Sequence, residues 1–198
     1  MDMDWGELFG GITGLGGPSA PSAAEDPLAW LEHQLEADKD LCYMQVAPTR
    51  WKAKALRKSR ILDVEVSLDE EGFLVIEIDS GIGVTAECER ECRILQMVEN
   101  GSFKTAGYRM ANAGENVAFR VTLRPTDELV VENIVGRCVF TVVDQAQAFE
   151  RIVAGARVRD IYGDIRLGQM KKSLLAHRFS GGKTPGVEDL QQLMEAFS

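Results

Sequence analysis

Cys88 and Cys92 stand four residues apart in a helical pattern, so both thiols fall on one face and could ligate one soft metal. Such a site needs two further ligands, and the two histidines, His33 and His177, do not form a spaced pair. Cys88, Cys92 and Leu95 continue at i, i+4, i+7, the spacing of a core stripe, which predicts buried, inert thiols. A second constellation is acidic. Asp63, Glu65, Glu77 and Asp79 would share the polar face of two adjacent strands, where paired carboxylates can exchange protons or hold a hard cation. These acids lie mid-strand, and Arg120 and Arg124 offer partners on the same sheet, so cross-strand ion pairs are expected instead.

Two more stretches invite a ligand. Gly182-Lys183-Thr184 suggests a phosphate loop, but the glycine required five residues earlier is His177, and Pro185 removes an amide donor. A loop between helices is expected there. Phe103 and Tyr108 interleave with Lys104 and Arg109, as in a nucleic-acid-reading strand, yet only one aromatic falls on the strand itself. A net charge of −9 also lacks the basic excess that phosphate binding needs. No nucleic-acid partner is expected.

That charge is unevenly distributed. Residues 1–40 hold nine acids against Lys39, residues 50–60 hold six bases and no acid, and residues 151–183 hold eight bases against two acids. No run of 18 apolar residues exists, so no membrane span is predicted. Asp2, Asp4 and Glu7 stand where a signal peptide would carry bases, which predicts a cytoplasmic protein whose four cysteines are reduced.

The elements that would position these residues follow from periodicity. Residues 1–25 read as a flexible tail, with Trp5, Leu8, Phe9 and Ile12 at near-helical spacing ahead of a Gly/Ser/Ala/Pro run. Asp26-Pro27 reads as a helix cap and first turn, followed by Leu28, Leu31 and Leu35 on one face. Residues 41–58 are ambiguous: "LCYMQV" suggests a strand, and Thr49 suggests a cap for a basic helix over 50–58. Strict alternation marks strands at 61–68, 73–79 and 116–124, with "DEEG" turning between the first two. A helix is expected from Thr85 to Glu99 and another over 127–155, the latter divisible in two because of Gly136. Asn100-Gly101 reads as a helix C-cap, Phe103 as an anchor, and Tyr108 as the start of a hairpin. Two short helices should follow, one with Met170, Leu174 and Leu175, the last with Val187, Leu190, Leu193, Met194 and Phe197.

The stretch 95–155, "LQMVENGSFKTAGYRMANAGENVAFRVTLRPTDELVVENIVGRCVFTVVDQAQAFERIVAG", resembles the YbjN-like bacterial domain family, also called sensory transduction regulators. Asn100, Phe103, Tyr108, the Val117–Leu123 strand and Thr126 occupy that family's helix end, link, hairpin and helix start. The resemblance covers roughly residues 27–155 and brings no catalytic motif. It implies a type III secretion chaperone-like α+β fold, an antiparallel sheet packed against helices in the order α-βββ-α-ββ-α. Its members commonly dimerise and hold segments of other proteins.

The expected organisation is a tail (1–25), an α/β sandwich (26–156) and a C-terminal helical extension (157–198). The expected function is a non-enzymatic adaptor or chaperone-like regulatory domain, a homodimer that binds a protein partner or peptide segment, with no cofactor or metal. Its contact surfaces would be Tyr108, Met110 and Phe119 on the hairpin, the long helix, and Leu190, Leu193 and Phe197. The alternative is a small-ligand sensor with a pocket between sheet and helices.

Overall fold

The computed structural model describes residues 21–100, 106–109 and 114–163. The elements are α1 (Pro27–Ala37), β1 (Met44–Ala47), β2 (Arg50–Arg57), β3 (Arg60–Leu68), β4 (Leu74–Gly83), α2 (Glu89–Asn100), β5 (Ala106–Arg109), β6 (Asn116–Leu123), α3 (Val131–Val153) and α4 (Val158–Tyr162). The strands form a six-stranded antiparallel sheet in the order β1-β2-β3-β4-β6-β5, giving an α+β fold. The first strand group has four members, where three were expected. Of the described residues, those up to Asp79 with Arg120–Val143 form one compact unit. Ser80–Phe119 with those from Asp144 onward form the other.

In the first unit, the stretch read as a basic helix is β2. Its alternation decides the matter: Trp51, Ala53 and Ala55 are buried while Arg50, Lys52 and Lys54 are exposed. Three small or aromatic side chains at spacing two fill one sheet face, and a helix would have scattered them around its circumference. β2 pairs antiparallel with β3, Trp51 opposite Val66 and Leu56 opposite Ile61. The two strands are joined by Lys58 and Ser59, both at positive φ (46° and 64°), the backbone of a two-residue turn whose twist matches the strands. At the far end of β3, Asp69 Oδ1 accepts from the amides of Glu71 and Phe73, and Gly72 takes φ +79°, closing the predicted turn.

Asp26 caps α1 by accepting from Ala29 N at 3.0 Å, with Pro27 in the first turn as expected. The buried stripe is Trp30, Leu31 and Leu35, and Leu28 lies at the margin. Ordered contacts begin before Asp26: Ala23 N donates to Asp127 Oδ1 at 2.5 Å, and Ser22 Oγ to Asp127 Oδ2 at 3.3 Å. Gln34 of α1 accepts from Val131 N at 3.3 Å, covering an orphan donor at the start of α3. α3 runs unbroken for 23 residues. Gly136 points to open space, while Val131, Ile134, Val135, Cys138 and Val142 beside it are buried, so packing outweighs the helix penalty of one glycine.

In the second unit, α2 begins at Glu89 rather than Thr85, which instead opens a preceding turn (Cys88 N to Thr85 O, 3.2 Å). Cys88, Cys92, Leu95 and Val98 form its buried stripe. Ile152, not Val153, continues the α3 stripe after Ala146 and Phe149. Residues 157–163 stay with this unit. Val158 N donates to Glu91 Oε2 at 2.9 Å, and the Tyr162 hydroxyl donates to Glu99, one of two buried polar side chains among the described residues.

Candidate partner-binding surface

The solvent face of β2, β3 and β4 carries the acids singled out in the sequence. Asp63 sits opposite Asp79 and Glu65 opposite Glu77, so four carboxylates form a two-by-two block. Like charges directly opposed are destabilising, and β2 supplies the relief. Glu65 receives Arg50 Nε at 3.2 Å and Lys52 Nζ at 3.5 Å, while Asp63 pairs with Lys54. These partners were expected from Arg120 and Arg124. The ambiguity of residues 41–58 hid them, because only the strand register brings residues 50, 52 and 54 beside residues 63 and 65. The block is an ion-pair lattice on a wet face, with each pair of modest strength.

Where that lattice ends, the same face turns apolar. Leu56 and Ile61, directly paired, are 75% and 69% exposed. The turn around them is basic: Arg57, Lys58 and Arg60 follow one another with no acid from Arg50 to Leu62. Arg57 stacks its guanidinium over the Phe140 ring of α3, 5.2 Å from the centroid, and Phe140 is itself 49% exposed. Leu56 and Ile61 thus stand side by side as an exposed apolar pair that can bury apolar area, while Arg57 and Arg60, the next cross-strand pair, belong to the opposite face of the sheet.

The hairpin residues named from sequence lie elsewhere. Tyr108 and Phe119 are 3% and 1% exposed, with ring centroids 5.1 Å apart, and Tyr108 also packs on Phe149 at 5.1 Å. Both were expected on a contact surface, but they are core side chains that hold the second unit together. Met110, Leu190, Leu193 and Phe197 lie outside the described residues, as do Gly101, Phe103, residues 182–184 and the last two predicted helices.

The thiols behave as the core-stripe reading implies. Cys88 and Cys92 are buried, and Cys92 is pushed up to about 12 by burial first and by the neighbouring Cys88 second. Burial alone raises Cys138 to about 12. Neither offers a thiolate at neutral pH, whereas Cys42 is exposed.

A cavity of about 690 Å³ lies in the first unit, between α1, the link 38–43 and the start of β2. Leu35, Leu41, Tyr43 and Trp51 give it apolar surface, and Glu32, Glu36, Asp38 and Asp40 give it charge. Burial first, then the nearby Asp38 carboxylate, hold the Tyr43 phenol well above its usual range. The Tyr43 hydroxyl is enclosed and meets no hydrogen-bond partner among the described residues. Asp38 instead accepts from the amides of Asp40 and Leu41, which turns the chain out of α1.

Comparison of the chain with protein-family models, with curated proteins and with solved structures finds no match.

Proposed function

We propose that this protein is a non-enzymatic adaptor or chaperone-like regulatory domain of the cytoplasm that binds a polypeptide segment of a protein partner and works as a homodimer. The observation that carries the reading is the exposed Leu56–Ile61 pair next to the β2–β3 turn. A partner segment with apolar side chains fits that chemistry. The order of helices and strands is close to the one implied by the resemblance to the YbjN-like family, and it supports the same reading. The grouped side chains weighed for chemistry are engaged otherwise: Cys92 and Cys138 are protonated core thiols, and Asp63 and Glu65 are ion-paired. A pull-down from the native cell with wild type and the Leu56→Asp/Ile61→Asp double variant tests the reading. Wild type should enrich a protein that the variant loses, and equal recovery would refute this surface. Light scattering tests the dimer, for which a monomer at high concentration is the contrary result.

The cavity beside Tyr43 and Trp51 favours a second reading, a sensor of a small ligand with an apolar body and a positive group. A thermal-shift screen of amines decides it, because a ligand that binds only the folded state raises the melting temperature.

A further inference from the structure

Within the first unit the outer edge of the sheet is only half covered. β1 pairs with β2 opposite Arg50, Trp51 and Lys52, while β2 runs on to Arg57. Which backbone groups face that edge follows from the two-residue turn at Lys58 and Ser59. Arg57 and Arg60 close the turn as a hydrogen-bonded pair, so Ala55 and Ala53 also bond toward β3. The N–H and C=O groups of Lys54 and Leu56 therefore point the other way, where no strand pairs with them among the described residues. A notch of strand edge, residues 53–57, stands between the end of β1 and the turn.

We propose that this notch is filled by the same residues of a second copy, antiparallel about a two-fold axis at Ala55, so that β2 of each protomer extends the sheet of the other. The proposal rests on the homodimer in the reading above and names its interface. An open strand edge calls for extended polypeptide, since another backbone carries donors and acceptors at the same repeat. Fit singles out a second copy. With Ala55 on the axis, Lys54 lies opposite the second copy's Leu56 and Leu56 opposite its Lys54. All four face the edge, which closes four backbone hydrogen bonds. An axis at Lys54 would set two lysines face to face and drive the second copy's Leu56 onto Lys52, which β1 already holds. An axis at Leu56 would put Lys54 opposite the second copy's Lys58, inside its turn.

The side chains agree with the Ala55 axis on both faces. On the wet face each Lys54 keeps its Asp63, and the two Leu56 side chains lie on a diagonal of about 7–8 Å. The Leu56–Ile61 pairs of both copies then join in one apolar row, which stays open to a partner segment. On the core face Ala55 meets Ala55, and Arg57, stacked on Phe140, meets the second copy's Ala53, which is small enough to leave the stack in place. Such a contact is smaller than a permanent interface, so the dimer should form and dissociate with concentration.

Disulfide trapping reads the register. In a Cys42→Ser background, which removes the exposed native thiol, Ala55→Cys should give on mild oxidation a covalent dimer of twice 21.8 kDa. The axis sets its two Cβ atoms about 4.5 Å apart, close enough for a disulfide. Ala53→Cys, buried on the same face, should give none, because its own counterpart lies roughly 14 Å along the strand. Leu56→Pro removes an edge amide that no strand of its own chain uses, and should turn a concentration-dependent dimer into a monomer by light scattering. The mass of a single chain in wild type at every concentration overturns the proposal. So does a dimeric Leu56→Pro, an untrapped Ala55→Cys, or equal trapping of Ala53→Cys. The readings fail separately. A wild-type dimer that Ala55→Cys does not trap keeps the homodimer and loses this interface. A monomeric wild type that captures a partner keeps the adaptor and loses the pairing of copies. Trapping at Ala55→Cys with no partner captured keeps the interface and loses the adaptor.

Discussion

The side chain of Asn100, the last residue of α2, closes two hydrogen bonds on the backbone of Tyr108. Its Oδ1 accepts from Tyr108 N at 2.6 Å and its Nδ2 donates to Tyr108 O at 2.9 Å. Gln96, one helical turn earlier, donates to the same carbonyl at 2.8 Å. An amide side chain thereby serves β5 as a neighbouring strand would, from the end of a helix. The approach is close enough that a Cβ on Gly107 would meet the Asn100 amide at 3.0 to 3.2 Å.

Asn100→Ala should therefore destabilise the protein by about 1–3 kcal/mol, because both Tyr108 backbone groups lose a partner. Asn100→Asp should be no better, since it retains the acceptor but sets a carboxylate oxygen against the Tyr108 carbonyl. Gly107→Ala should lower the melting temperature in the same direction. Thermal unfolding of the three variants checks this, and a melting temperature unchanged in all of them would show that α2 and β5 are held by other contacts.

The β2–β3 turn predicts a gain. Lys58 and Ser59 are non-glycine residues in the left-handed region, and Arg57 opposes Arg60 across the strand ends. Lys58→Asn with Ser59→Gly should stabilise by on the order of 1 kcal/mol, since Asn-Gly is the preferred pair for such a turn. Chemical denaturation reads the change.

Ionisation of the buried groups predicts a loss at alkaline pH. Cys92 and Cys138 are raised to about 12, above the ordinary thiol value near 9, so the unfolded chain releases these protons first. The folded state binds more protons between roughly pH 9 and 12, so stability is full below pH 9 and falls as pH rises through that window. The shifted Tyr43 phenol acts in the same direction. Alkylation at neutral pH should label Cys42 ahead of Cys88, Cys92 and Cys138 in the native protein, and all four thiols after denaturation.

Tyr162→Phe should loosen α4 from α2. It removes the donor to Glu99, a carboxylate buried in the second unit, at an expected cost of about 1–3 kcal/mol. Hydrogen exchange at Val158, whose amide bonds Glu91, reports the loosening locally, and unchanged protection would mean that α4 is held without the tyrosine.

Alternation made β3, β4 and β6 legible in the sequence, since each has one apolar face against the core and one polar face against water. In β3 the same alternation sets Ile61 in one row with Asp63, Glu65 and Ser67. Its significance was hidden by β2. Residues 41–58 stay ambiguous because Thr49 offers a helix cap, while the period-two signal rests on Trp51 and two alanines, which carry little hydrophobic weight. Losing β2 concealed both the partners of the acids and the Leu56–Ile61 pairing. Asn100 was identified as a terminal residue, but its bond to Tyr108 joins elements whose closeness no local pattern encodes. Tyr108 and Phe119 were assigned to a contact surface because periodicity reports that residues share a face and not which side of a sheet is covered.

Photo-crosslinking from position 56 tests the account most directly. The full chain, carrying a benzophenone amino acid in place of Leu56 and separately in place of the exposed Glu70, is irradiated in the native cell and its adducts identified by mass spectrometry. A discrete protein adduct from position 56 that is missing from position 70 is the predicted result. No adduct from position 56, or the same adducts from both positions, would contradict a polypeptide-binding surface at the β2–β3 turn.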